Sequence, residues 1–238
     1  MDNLSSLIRN RQSSRVLFDP NRPVPAEDLR QILDAGSWAP TAHNMQNFEV
    51  VIVDDQTLIQ EIAAVRAPVS VQFVRENFKQ LSFSEAELLA KKTGVLGSIF
   101  PAAWQKPHIR KADIVESDKS AFMQQELHST PVLGIVLYDP ARRAPASKGD
   151  FLGIISLGCV MENMWLMANH LGIQFHILSA LSNKPVAKAI RRILHIPKRL
   201  EIAYAFRLGY AIHDGSYLRV RRNIPDFTHH NRYGRMGI

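Results

Sequence analysis

The feature that most constrains the fold of this chain is a long apolar run at residues 151–171. The run is long enough to cross a bilayer as one helix, but Glu162, Asn163, Asn169 and His170 interrupt it. Polar side chains are costly in hydrocarbon, whereas a helix that is apolar nearly all round is typical of a protein core or a subunit interface. The sequence therefore predicts a buried helix and no membrane association.

Patterns along the rest of the chain predict alternating strands and helices. Strands are expected where β-branched and apolar residues cluster, at residues 48–53, 131–138, 173–178 and 202–208. Helices are expected where apolar residues recur at helical spacing, at residues 4–10, 26–36, 58–65, 84–92 and 185–194. These elements indicate an α+β layered fold. A chain of 238 residues suits a single domain, 1–238, with an irregular excursion at about 68–129 that could act as a lid.

Cysteine content and the first residues bear on the cellular compartment. Cys159 is the only cysteine, which excludes an internal disulfide and fits a reducing compartment. The N-terminal residues are polar and lack the apolar segment of a secretory signal. We therefore expect a cytoplasmic protein.

The net charge of +7 favours an anionic partner, which could be a cofactor phosphate, a nucleic acid or a membrane surface. A nucleic-acid-binding protein is one alternative, because arginines concentrate in the C-terminal tail at positions 219, 221, 222, 232 and 235. No recognised nucleic-acid-binding motif accompanies these arginines. A nucleic-acid partner is therefore not expected.

The histidines raise the question of a metal site. No pair among His43, His170 and His176 has the spacing of a helical zinc site, and no carboxylate completes one. No metal is expected. A Gly-rich dinucleotide fingerprint after a strand is also absent from the sequence, so a nicotinamide nucleotide is expected to bind only transiently.

Three separated motifs resemble those of a known family. They are Arg-x-Ser-x-Arg at residues 11–15, Pro-Thr-Ala-His-Asn-Met-Gln at 40–46 and Arg-Arg-Asn-Ile-Pro-Asp-Phe-Thr-His-His-Asn at 221–231. In this order, with the apolar helix between the second and the third, the chain resembles the nitroreductase family of flavoproteins over nearly its whole length. The resemblance implies a mostly antiparallel central sheet flanked by helices, and a homodimer with a long buried interface helix. It also implies FMN as the cofactor, bound between subunits.

The first and third motifs suit the phosphate of FMN. A guanidinium group offers a planar fork of donors that matches phosphate oxygens. The resemblance implies that Arg11 binds the phosphate together with Arg219 or Arg221. It further implies that the Ser13 hydroxyl binds the phosphate or the ribityl chain.

Other candidates are assigned to the flavin ring. By the same resemblance, Arg15 lies beside N1 and O2, where a fixed positive charge stabilises the reduced flavin. Gln12 belongs to the same motif and is a further cofactor-binding candidate. In the family, backbone that follows the apolar helix passes beneath the flavin ring. The resemblance therefore implies three candidates for a hydrogen bond to N5: the backbone amides of Ile177 and Leu178, and the amide or hydroxyl of Ser179.

The resemblance implies that the loop at 40–46 reaches the flavin, often that of the partner subunit, through Pro40, Thr41, Asn44 and Gln46. Asn and Gln side chains offer both donors and acceptors for the ribityl chain and the ring edge. The family commonly has Ser after the first Pro and ends this loop with Gln-Pro-Trp. This chain has Thr there and ends with Gln-Asn-Phe at 46–48, which puts the rigidity of the loop in question.

The implied activity is an FMN-dependent transfer of hydride from NADH or NADPH, through flavin N5, to a small acceptor such as a nitroaromatic, a quinone or an enone. The cycle would be ping-pong, and because the cofactor supplies the chemistry, no catalytic side chain is assigned. Two flavin-based alternatives remain. Residues 172–181 and the loop at 42–43 also resemble the reductive dehalogenase and flavin-fragmenting subgroup, and the departure at 46–48 leaves room for a non-catalytic flavin sensor.

Overall fold

A computed structural model of the chain describes residues 3–65, 70–99, 104, 108–116, 119–213, 215 and 218–236. The chain divides into two units, Met1–Ala67 with Phe122–Gly215 and Pro68–Ala121 with Ser216–Ile238. The expected excursion at 68–129 contributes mainly to the second unit, and its residues 68–69, 100–103, 105–107 and 117–118 lie outside the described part. The single domain and the lid stay predictions.

The described elements are numbered in chain order. The helices are α1 (Leu4–Asn10), α2 (Ala26–Ser37), α3 (Gln56–Ala63), α4 (Val71–Leu81), α5 (Glu85–Lys91), α6 (Lys111–Glu116), α7 (Lys119–His128), α8 (Phe151–His170) and α9 (Lys184–Ile193). The strands are β1 (Glu49–Val53), β2 (Ser82–Phe83), β3 (Val95–Leu96), β4 (Val132–Tyr138), β5 (Gln174–Ile177) and β6 (Glu201–Gly209).

An antiparallel sheet forms the centre of the first unit, with the strand order β1-β4-β6-β5. Every neighbouring pair in it is antiparallel. The expected α+β class and antiparallel sheet are therefore confirmed. All the strands predicted from β-branched clusters are present, each to within one residue at either end.

Helices cover both faces of this sheet because its strands alternate apolar side chains between the faces. On β4, Leu133 and Ile135 belong to a core closed by α3 and α9. Val132 and Val136 belong to a second core, which is closed by α2 and α8. Near-continuous apolar sequence on β4 follows from this burial on both faces.

Helix α3 begins two residues before the predicted position because Asp55 caps it. The Asp55 carboxylate accepts hydrogen bonds from the backbone N–H groups of Thr57 at 2.7 Å and Leu58 at 3.4 Å. Such a side chain satisfies amides that have no partner within the helix. The apolar period alone gives the helix face but not its first residue.

The long apolar run forms α8, as predicted, and its polar residues bind neighbouring segments. The Asn163 side-chain amide donates to the Ala35 carbonyl at 3.1 Å, and that of Asn169 donates to the Leu7 carbonyl at 3.4 Å. Glu162 forms an ion pair with Arg11. The polar residues that interrupt the run thus attach three segments to α8: α1, Arg11 directly after it, and α2.

One face of α8 is exposed in the single chain. Leu157, Met164 and Trp165 are buried, whereas Phe151 and Ile154 are 64% and 62% exposed. By length and composition alone, α8 is long and apolar enough to cross a membrane. Within its most apolar stretch of 18 residues, 22% are buried. The burial expected of the whole helix is therefore incomplete in one copy of the chain, and the homodimer stays a prediction.

The second unit contains α4, β2, α5, β3 and α6, with β2 and β3 pairing in parallel. Val74, Trp104, Ile109 and Ile114 form a small core there. Helix α5, predicted from its apolar period, begins at a capping box in which Ser84 and Glu87 bind each other's backbone amides. The C-terminal residues of this unit include a single 3-10 turn at Ile224–Asp226.

Candidate active site

Residues 11–16 lie along the open edge of β5, the last strand of the sheet. The Ser14 backbone N–H donates to the Phe175 carbonyl at 3.1 Å. On the side of α8, the Trp165 indole N–H donates to the Gln12 carbonyl at 3.2 Å. The backbone of the segment is therefore fixed between a strand and a helix.

Burial alternates over residues 13–16, and Gln12 is half-buried like its neighbours Arg11 and Ser13. Ser14 and Val16 are 3% and 7% exposed, whereas Arg11 and Ser13 are half-buried and Arg15 is exposed. In an extended chain, successive side chains point to opposite sides. The Arg-x-Ser-x-Arg spacing thus puts Ser13 and Arg15 on the side of the segment away from Ser14 and Val16, with Arg11 two residues before Ser13. This arrangement offers an anion three donor side chains from a single stretch of chain.

The Arg11 guanidinium is held beside α8. Its Nε lies 3.3 Å from a Glu162 carboxylate oxygen, and the two side chains are 24% and 37% exposed. Its central carbon lies 4.6 Å from the centre of the Trp165 ring, a cation–π distance. Arg11 is therefore oriented by this helix while part of its surface stays open to solvent.

The loop with the second motif has an unusual backbone. His43, Asn44 and Gln46 have positive φ values of 51°, 51° and 45°, a region that residues other than glycine rarely adopt. The loop is braced by the Thr41 hydroxyl, which accepts from the Gln46 N–H at 3.2 Å, and the Gln46 side chain donates to Asn44 at 3.0 Å. Three predicted site residues thus bind one another.

This loop is attached to α8 and to the turn after β4. The Ala42 N–H donates to the Ser156 hydroxyl at 3.0 Å. The Asn47 side-chain amide donates to the Asp139 and Arg142 carbonyls, both at 2.9 Å, and its oxygen accepts from the Asp139 N–H at 3.2 Å. The residue that replaces the family's proline therefore fixes the loop by hydrogen bonds rather than by a restricted φ.

A small cleft lies against this loop. Apolar side chains of Met45, Phe48 and Leu157 line it together with Arg142. The Arg142 side chain is exposed.

The end of β5 offers backbone donors at the same edge as residues 11–16. The Leu178 N–H donates to the Ala205 carbonyl at 2.8 Å, so this candidate for flavin N5 is already paired within the sheet. Ile177 stands opposite Phe206, and the alternation of antiparallel pairing directs its N–H away from β6. Ile177 and the exposed Ser179 are the candidates that remain.

The C-terminal arginines belong to the second unit. A guanidinium N–H of Arg221 donates to the Val220 carbonyl at 2.7 Å. Convergence of Arg219 or Arg221 with Arg11 on one phosphate stays a prediction. The structure brings Arg11, Ser13, Arg15 and the end of β5 to one edge, and it holds the loop at 40–46 against a different stretch of α8.

Sequence reasoning missed three buried residues behind this edge, namely Arg207, Glu126 and His176. Arg207 is fully buried on β6, and it binds both of the others. The available signal was an arginine inside an apolar strand pattern, which requires a buried partner. Among the described residues, no three His, Cys, Asp or Glu side chains form a group that could hold a metal ion.

Comparisons with known proteins agree with this architecture. The family model that matches is the Nitroreductase family, over residues 8–210. Among curated proteins none matches the sequence significantly.

Solved structures align over nearly the whole chain at low sequence identity. A protein of Parabacteroides distasonis named as an NADH dehydrogenase/NAD(P)H nitroreductase has 16% identity and a TM-score of 0.61, with 98% of this chain and 100% of that chain covered. A nitroreductase of Desulfovibrio desulfuricans in complex with FMN has 18% identity and a TM-score of 0.61, with 98% and 99% covered. A nitroreductase of Bacteroides fragilis with bound FMN has 19% identity and a TM-score of 0.56, with 100% and 99% covered. At this identity the likeness shows the fold.

Proposed function

The chain belongs to the nitroreductase family, and from this premise we propose that it is an FMN-dependent oxidoreductase. It would pass hydride from NADH or NADPH to a small acceptor, a nitroaromatic, a quinone or an enone, in a ping-pong cycle. The observation that supports this most directly is the row of Arg11, Ser13 and Arg15 beside the end of β5. The two solved relatives that contain FMN support the choice of cofactor.

The residues at this edge fit the parts of FMN. Two guanidinium groups and a hydroxyl in one segment suit a phosphate and a polar chain. Arg11, kept in orientation by Glu162 and Trp165, would hold the phosphate with Ser13. Arg15 is exposed and would lie at the N1 and O2 edge of the ring.

When bound, the flavin supplies the hydride chemistry. The chain contributes binding, orientation and charge. The Ile177 N–H, directed away from β6, or the Ser179 group would donate to N5. The fixed charge of Arg15 would favour the reduced form, because it lies where negative charge develops.

We also propose that the protein works as a homodimer in the cytoplasm. Within one chain, the loop at 40–46 contacts α8 at Ser156, whereas residues 11–16 contact it at Glu162 and Trp165. Trp165 lies nine positions after Ser156 on the helix, a rise of about 14 Å. A second copy packed on the exposed face of α8 could bring its own loop to this flavin site.

The test is to purify the protein, titrate it with FMN and follow flavin absorbance after anaerobic addition of NADH or NADPH. We expect bound FMN that bleaches with one or both nucleotides. Substitution Arg15→Gln should slow bleaching about tenfold, the effect of losing one interaction with a charged group. The control is Arg30→Gln, since Arg30 is an exposed arginine on α2 that pairs only locally with Glu27.

Each outcome of this experiment assigns a function class. A folded protein that takes up no FMN would refute the proposal, and retention on heparin that is lost at modest salt would then favour nucleic-acid binding. Bound FMN that neither nucleotide bleaches would indicate a sensor. Equal bleaching rates in the wild type and Arg15→Gln would remove Arg15 from the site.

A further inference from the structure

A fully buried cation lies directly behind the row of predicted flavin ligands. Arg207 has no exposed surface, although it stands in the apolar strand β6. A guanidinium N–H donates to a Glu126 carboxylate oxygen at 3.1 Å, and its Nε–H donates to Nδ1 of His176 at 3.1 Å. The carboxylate lies 3.4 Å from the same histidine nitrogen. The three side chains form one buried polar network.

The network also holds the backbone of the ligand segment. Arg207 donates to the Val16 carbonyl at 2.7 Å and to the Ser14 carbonyl at 3.4 Å. These carbonyls flank Arg15 on both sides. Because Arg15 itself is exposed, the position of its guanidinium depends on how firmly the neighbouring backbone is held.

The same network reaches the strand that offers the candidate donor to N5. His176 is the residue before Ile177 on β5, and it is 8% exposed. Its Nδ1 accepts the hydrogen bond from the Arg207 Nε–H. One guanidinium group is thus bonded to both sides of the proposed ring site, the Ser14–Val16 backbone and the His176 side chain.

Buried charges of this kind are costly to assemble. An apolar replacement of a whole buried ion pair is often neutral or stabilising, whereas removal of one partner is strongly destabilising. Stability alone therefore does not account for a buried arginine bonded to two carbonyls of a ligand segment. Its geometric effect is to fix the distance between that segment and β5.

We propose that Arg207 and His176 are positioning residues of the flavin site, which hold Arg15 and Ile177 at a set separation. This inference rests on the proposed function. Glu126 balances the charge of Arg207 and orients it. If the network is loosened, the charge of Arg15 is less well placed at the ring, so FMN should bind more weakly and its reduction potential should fall.

The test compares His176→Asn with His176→Gln and His176→Leu in the full chain. Asparagine presents an amide oxygen near the position of Nδ1 and can still accept from Arg207. Glutamine places its amide near the position of Nε2, and leucine offers no acceptor. The control is His170→Leu, which removes an exposed histidine at the end of α8. The measurements are the FMN dissociation constant, the midpoint potential of the bound flavin and the thermal unfolding temperature.

We expect His176→Gln and His176→Leu to raise the FMN dissociation constant about tenfold and to shift the midpoint potential to more negative values. His176→Asn and His170→Leu should stay close to the wild type in both. If folded Gln and Leu variants lose thermal stability but keep the wild-type dissociation constant and potential, the positioning role is overturned. If the Leu variant does not fold, the comparison of Asn with Gln decides in the same way. A wild type that binds no FMN would instead refute the proposed function itself.

Discussion

At the scale of single residues, the site depends on side chains whose partners are far away in sequence. Asn47 binds a turn 92 residues further along the chain, and Arg207 binds carbonyls more than 190 residues before it. Patterns among neighbouring residues do not predict hydrogen bonds between residues so far apart in sequence. The motif at 11–15 could be recognised because its alternation is local, whereas the role of Asn47 in replacing a proline could not.

Substitution of Asn47 by alanine should release the loop from the turn after β4. Three hydrogen bonds are lost, and at about 0.5–1.5 kcal/mol each we expect a destabilisation of about 1.5–4.5 kcal/mol, measured by chemical unfolding. Thr57→Ala is the control. Thr57 lies outside this loop, and its contact with Asp55 is made by its backbone N–H, which the substitution keeps. An unfolding free energy for Asn47→Ala equal to that of the wild type would show that these bonds do not hold the loop.

At the scale of elements, an aromatic stack connects the sheet to the candidate site. Phe206 and Phe175 stack at 4.7 Å between ring centres, and Phe175 and Trp165 stack at 5.1 Å. Trp165 in turn binds the Gln12 carbonyl. The stack has room because Gly134 stands opposite Phe206 on β4 and a Cβ there would overlap the ring.

Gly134→Ala should therefore destabilise the first unit. Overpacking of a dense core costs about 1–3 kcal/mol, and we expect a loss of this size in the free energy of unfolding. In a Phe206→Leu background the smaller side chain leaves space for the methyl group, so the same substitution should cost less. Equal costs in the two backgrounds would contradict the steric explanation.

The positions of helices and strands were largely predictable, because periodic burial produces a periodic pattern of apolar residues within each element. Strand β4 and helix α9 were found from patterns alone, and α8 from its apolar length. Helix starts were less exact, since α3 begins where Asp55 caps it rather than where its apolar period begins. Helices α4, α6 and α7 lie in the irregular segment at 68–129 and were not predicted, although the sequence of α4 has apolar residues at helical spacing.

At the scale of the whole molecule, the exposed apolar face of α8 is the feature that one copy of the chain does not explain. Large apolar patches on a protein surface mark interaction sites. Phe151, Ile154 and Ile155 are 64%, 62% and 48% exposed on this face. The proposed homodimer would bury them, as obligate interfaces resemble a divided core.

Ile155→Lys should shift the protein from dimer to monomer and reduce its FMN content, because a lysine ammonium would have to be buried unpaired in the interface. Light scattering at several concentrations and the flavin-to-protein ratio measure the two effects. Leu89→Lys is a matched control, since Leu89 on α5 has the same exposure of 48%. A dimer that persists in the Ile155 variant would exclude this face as the interface.

The alternating burial of residues 11–16 has a consequence for how the signature can change. Ser14 and Val16 face inward and Arg15 between them faces outward, so the side on which each ligand lies depends on its place in the alternation. Inserting or deleting one residue before Arg15 would turn its guanidinium toward the sheet, while exchanging Gln12 for another side chain would leave the outward order intact. The signature therefore constrains spacing: Ser13 and Arg15 can reach the same cofactor only while an odd number of residues separates them.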